Sequence, residues 1–155
     1  PPVLKVLVPT SQKRPQNWRY TQEKPDKEWI QPGFDDTPWK SGPGGFGTRS
    51  TPGAVIGTEW NSSDIWIRRT FTLDALPTKG TISLMVHHDE DAEIYINGEL
   101  ASACTGYVSG YVPVTLSAKA IQALNKGENT IAVHRRQTRG GQFIDVGFSL
   151  LIEAE

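Results

Sequence analysis

Between Ile82 and Leu100 the chain reads ISLMVHHDEDAEIYINGEL, and this stretch restricts the fold more than any other. Ile82, Leu84, Val86 and His88 recur at every second position on its first half, and Ala92, Ile94 and Ile96 do so on the second. A period of two sends every second side chain to one face, so each half is a strand with one buried side. The corner His87-His88-Asp89-Glu90-Asp91 joins the two strands, and Asn97-Gly98 supplies the next turn. Alternation puts His88 on the buried face, as a hydrogen-bonded histidine at the edge of the core.

The same period recurs elsewhere. Ile65, Ile67, Phe71 and Leu73 alternate with Trp66, Arg68, Thr70 and Thr72. Val112, Val114 and Leu116 form another strand, Ile131 and Val133 a further one, and Ile144 to Ile152 the longest. One helical turn interrupts them, with Ser117 as its N-cap, Ile121 and Leu124 on one face and Gly127 at its end. About eight strands without crossover helices imply antiparallel sheets. The fold class is therefore an all-β antiparallel sandwich or jelly roll with one short helix and long capping loops. The first sixty residues are rich in proline and glycine but carry Trp18, Trp29, Trp39 and Trp60. Disorder comes with few aromatics, so this region is expected to wrap and cap the sandwich. Residues 1–155 fit one domain.

Sixteen basic and seventeen acidic residues leave a net charge of −1, which offers no field to draw nucleic acid or an anionic membrane. No apolar run approaches the roughly 18–20 residues of a bilayer span. The single cysteine, Cys104, excludes an internal disulfide and a cysteine-based zinc cluster, and its neighbours offer neither base nor cation. The chain opens Pro1-Pro2 without an initiator methionine, as expected of a piece cut from a longer polypeptide.

Five segments stand in a telling order: Phe34-Asp35-Asp36-Thr37-Pro38-Trp39, DIWIRRTF from Asp64, AEIYING from Ala92, Gly106-Tyr107 with Tyr111, and LNKGENTIAV from Leu124. Together they resemble the jelly-roll sugar-binding domain of glycoside hydrolase family 2, within the galactose-binding-domain-like sandwiches. Gly44-Gly45-Phe46-Gly47-Thr48 and the run Gly140 to Gly147 resemble an accessory variant attached to bacterial polysaccharide-degrading enzymes. The resemblance implies a non-catalytic module in a longer chain with a separate catalytic domain, secreted or periplasmic, and without a cofactor. Its partners would be a carbohydrate and that parent domain.

Three acids on one turn, Asp89, Glu90 and Asp91, do not make the facing carboxyl pair that glycoside hydrolysis needs, and no catalytic residue is assigned. A charged turn is the first reading and calcium the alternative. The corner also resembles the protective-antigen-type lectin module, which holds calcium with an Asp-Asp pair followed by glycine. Here the order is Asp-Glu-Asp-Ala, and no metal ligand is assigned. Arg69 and Arg135 fall on the apolar sides of their strands, where a guanidinium needs a partner such as Asp89, Asp91 or Asp145.

Saccharide rings stack their C–H faces on aromatic side chains while amides, acids and arginines bind their hydroxyls. Trp60, Tyr107 and Tyr111 lie in turn-rich stretches that would expose them. The ligand-binding candidates are thus these three aromatics with His88, Asp89 and Asp91 from the corner, and Arg135, Gln137 and Gln142 around the last turn. Trp39 and Trp66 are expected to pack. The rival reading is a structural spacer that docks on its parent and binds no free sugar; a calcium-dependent lectin-like module is the third.

Overall fold

The computed structural model of the chain describes residues 3–49, 51, 53–89, 91–108, 110–136 and 142–152. They form two six-stranded sheets packed face to face. The first contains β1 (Val3–Val8), β4 (Phe46–Gly47), β5 (Thr58–Glu59), β7 (Thr81–Asp89), β10 (Val112–Thr115) and β12 (Phe143–Ile152). The second contains β2 (Asn17–Thr21), β3 (Lys40–Pro43), β6 (Asp64–Leu73), β8 (Asp91–Ile96), β9 (Glu99–Cys104) and β11 (Gly127–Arg136). The first sheet runs β10-β7-β12-β4-β5 with β1 also on β12, and the second β3-β2-β6-β11-β8-β9. Pairing is antiparallel except for the two-residue β4–β5 contact, which is parallel.

The expected alternation builds the core. Ile65, Ile67, Ile94, Ile96, Ile131 and Val133 from the second sheet meet Leu84, Val86, Ile144, Val146 and Phe148 from the first. The region before residue 60 does more than cap: it contributes five of the strands. Their shortness, with proline or glycine at the ends of β3, β4 and β5, hides them from a periodicity argument.

On the outer face of β6, Trp66 packs as expected, and Arg68 is buried beside it. A 3-10 turn at Lys27–Ile30 and the segment following it lie across this face, packing Trp29, Phe34 and Trp39 against Trp66 and Tyr95. The helix α1 spans Ala118–Ala123, and the Ser117 hydroxyl accepts from the Ala120 amide at 3.1 Å as a cap should. Its buried face is Ala120 with Leu124, whereas Ile121 is exposed, a correction to the expected pairing. Gly127 opens β11 rather than ending the helix.

Candidate functional site

The ends of β7 and β11 and the starts of β6, β8 and β12 all converge at one end of the sandwich. The segment from Thr105 to Tyr111 is tied down there. Asp89 bridges Tyr107, the Val108 amide donates to the His88 carbonyl at 2.9 Å, and the Gly106 amide donates to Asp91 Oδ1 at 2.9 Å. His88 is buried as alternation requires, with Nδ1 at 3.1 Å from the Gly106 carbonyl. The corner is therefore mostly an anchor for this loop.

Register explains the site beside it. Across β8 and β11, His134 stands opposite Glu93 and Arg136 opposite Asp91, and across β6 the same two face Trp66 and Asp64. Residues opposite one another share a face, so acids, a histidine and an arginine gather on the outer side of the second sheet. Asp91, Glu93, His134 and Arg136 line a cavity of about 230 Å³ with Ala92, Ala103, Cys104 and Thr105. His134 stacks flat on Trp66, rings 4.6 Å apart and 5° from parallel, and Nε2 lies 2.7 Å from Asp64 Oδ1. Tyr95 donates to Glu93 at 2.6 Å, and burial together with that carboxylate pushes the phenol up to about 12. Two residues beyond Thr105, the ring of Tyr107 is 72% exposed.

The other predicted residues divide. Trp60 is 1% exposed, not a loop platform: its ring lies under the Arg135 guanidinium at 4.8 Å, and its indole N–H is bonded to the Ser62 hydroxyl and Asp64 carbonyl. Arg135 and Gln142 are buried with it, the Gln142 amide donating to the carbonyls of Trp60 and Ser62. All three are walls behind the site rather than its surface. Gln137, with Glu90 and Arg139, lies outside the described residues.

Tyr111 is half-buried on the outer face of the first sheet, and its hydroxyl donates to Asp145 Oδ2 at 2.5 Å. Burial raises the Asp145 carboxyl to about 6 against the opposing pull of Tyr111 and the Ser11 amide. The Tyr111 hydroxyl is raised in turn, by burial first and then by Asp145. His87 is buried between the rings of Tyr111 and Phe143 at 5.3 and 4.6 Å. Burial, then the neighbouring His88, lowers its pKa. Arg69 lies over Trp18 at 5.6 Å and reaches Gln16 Oε1 at 3.3 Å, with Asp145 acting only as a nearby charge.

Sequence reasoning missed Glu93, His134 and Arg136 as a group, although their parity, opposite to Ile94, Ile131 and Val133, was a usable signal. It also missed Arg68, whose Nε bonds Asp36 Oδ2 at 3.0 Å and whose Nη1 reaches the carbonyls of Trp29 and Gln31. Among the described residues no three His, Cys, Asp or Glu side chains come together to hold a metal ion. No helix among them is long and apolar enough to cross a membrane.

No protein-family model matches the chain, and no curated protein matches it. Solved structures do. Bacteroides uniformis beta-glucuronidase 2, covalently bound to cyclophellitol-6-carboxylate aziridine, matches 97% of this chain with 18% of its own, at 19% identity and a TM-score of 0.63. A glycosyl hydrolase family 2 member from Bacteroides cellulosilyticus matches 88% of this chain with 20% of its own, at 16% identity and a TM-score of 0.61. A beta-glucuronidase from an uncultured Clostridium species matches 98% of this chain with 29% of its own, at 14% identity and a TM-score of 0.59. The chain thus has the fold of one sandwich-sized piece, about a fifth to under a third, of these glycosidase chains.

Proposed function

We propose that the chain is a non-catalytic accessory domain of a bacterial glycoside hydrolase and binds carbohydrate at the loop end of the sandwich. One observation carries the reading: the loop that bears the exposed Tyr107 begins at Thr105, a wall of a cavity whose Asp91, Glu93, His134 and Arg136 present both donors and acceptors, and its Gly106 amide is bonded to that same Asp91. A saccharide uses both, stacking one face while its hydroxyls bond the walls. Catalysis at this cavity has no support. Hydrolysis needs a carboxyl held protonated opposite a second one, and Asp145, whose pKa is raised, is not among the lining residues. The likeness to one piece of larger enzymes supports a catalytic domain in the same longer chain, and secretion or a periplasmic location belongs to the same proposal.

A glycan-array screen of the wild type and Tyr107→Ala, each with calcium and with a chelator, tests it. The reading expects a bound glycan that the variant loses at unchanged Tm. Binding that survives in the variant would displace the site, and loss on chelation would favour the calcium-dependent lectin. A second reading, a spacer docked on its parent, is favoured by Val3, Leu4 and Val6, all more than half exposed along β1. It expects no glycan on the array at all.

A further inference from the structure

We propose that the cleft where β2 parts from β6 is a second binding site, for a saccharide residue bearing a carboxylate. The saccharide half rests on the carbohydrate reading above; the carboxylate half stands on the arginines alone. β2 pairs with β6 only from Thr21↔Trp66 to Arg19↔Arg68, although β2 begins at Asn17 and β6 continues to Leu73. Where the ladder ends, an opening of about 350 Å³ is lined by Arg19, Arg68 and Arg69, with Asn17, Ser41 and Thr70 among its other walls. This is the size of a small-ligand pocket.

The charges there do not balance. Arg19 and Arg68 stand directly opposite each other, an arrangement that destabilises a sheet unless an anion intervenes. Asp36 is the carboxylate in the lining, and it bonds Arg68. Arg68 spends its other donors on the carbonyls of Trp29 and Gln31, whereas Arg19 has a single long bond, 3.4 Å to the Trp39 carbonyl. Arg69 is half-buried over Trp18, and its acceptor among the described residues is Gln16 Oε1, at 3.3 and 3.4 Å. Its Nε is buried with no partner, and Asp145, whose charge partly offsets it, does not line the cleft.

Asp36 answers Arg68 and Asp145 offsets Arg69 from outside the cleft, so the donors left over belong to Arg19 and to the Arg69 Nε, and they call for an acceptor that carries negative charge. A carboxylate matches the planar fork of a guanidinium with two parallel bonds. The exposed Asn17, Ser41 and Thr70 around the opening supply the mixed donors and acceptors that sugar hydroxyls take up. A bare anion would leave these unused, and a neutral sugar would leave the arginines unanswered.

The test is calorimetric titration of the chain with sodium D-glucuronate, D-glucose, acetate and inorganic sulfate. Wild type, Arg19→Gln and Tyr107→Ala are compared. Arg19 is half-exposed, so Arg19→Gln is expected to keep its Tm, and Arg19→Lys serves as the conservative variant. The expected result is that glucuronate binds, glucose does not compete for the cleft, Arg19→Gln weakens glucuronate by about tenfold or more, and Tyr107→Ala leaves it unchanged. Arg19→Lys recovers only part, because an ammonium lacks the fork. Glucuronate binding that Arg19→Gln does not alter overturns the proposal, as does its absence; acetate or sulfate binding as tightly overturns it too. If Tyr107→Ala instead abolishes glucuronate binding, the ligand belongs to the loop end and the cleft proposal falls while the loop-end reading stands.

Discussion

At Asp145 burial and hydrogen bonding oppose each other, and burial wins. The carboxyl is 1% exposed; it accepts from Tyr111 and the Ser11 amide, and its pKa still rises from 3.8 to about 6. A folded pKa above the unfolded one means that the folded state prefers the proton. The resulting stabilisation is fully present below about pH 4 and is lost as pH rises through about 6, an effect of up to ~3 kcal/mol. Asp145→Asn removes the charge and keeps an acceptor, so it is expected to raise Tm at pH 7.5, with the gain fading as melts are repeated down to pH 4. Tyr111→Phe deletes a bond that holds the pKa down, so NMR titration of Asp145 should report a value higher still. Arg68 behaves in the opposite sense. Its removal, as Arg68→Met, strands Asp36 and two carbonyls, at a cost of about 3 kcal/mol. At roughly 2–4 °C per kcal/mol for a domain of this size, the melting temperature should fall by about 10 °C.

The β8–β9 hairpin shows what was legible at the scale of elements. Asn97-Gly98 in the sequence signals a two-residue turn that needs positive φ at both positions, and the angles are 50° and 88°. The Asn97 side chain does more than turn. Its amide donates to the Ala123 carbonyl and Asn129 Oδ1, and its oxygen accepts from the Thr130 amide, locking the hairpin to β11 and the helix end. Asn97→Ala is therefore expected to cost about 2–3 kcal/mol in chemical denaturation, and Gly98→Ala about 1–2 kcal/mol from its backbone conformation alone. Neither the three partners of Asn97 nor the segment across the outer face of β6 could be read beforehand. Periodicity reports which residues are apolar in alternation. It does not report that Trp29 and Trp39 will cover Trp66, because those tryptophans sit between turns with no period of their own.

For the molecule as a whole, the strands from Ile65 onward and their order in a sandwich were legible because long alternating runs specify burial directly. Early strands of two to six residues were less so. The site was half legible. Sequence placed Asp91 and Tyr107 at the loop end, yet it also put Trp60 and Gln142 there as surface groups, when loops at the end of a sandwich fold inward over Arg135. The face that gathers Asp91, Glu93, His134 and Arg136 comes from the register of three strands, which one strand's pattern cannot supply. The central claim is that this face, with the Tyr107 loop tied to its Asp91, receives carbohydrate. The direct measurement is amide chemical-shift mapping of the labelled chain titrated with a glycan selected on the array. The account predicts the largest shifts within residues 91–93, 104–107 and 134–136, with saturation lost in Tyr107→Ala. Shifts confined to β1 or the opposite end of the sandwich, or saturation unchanged in that variant, would contradict it.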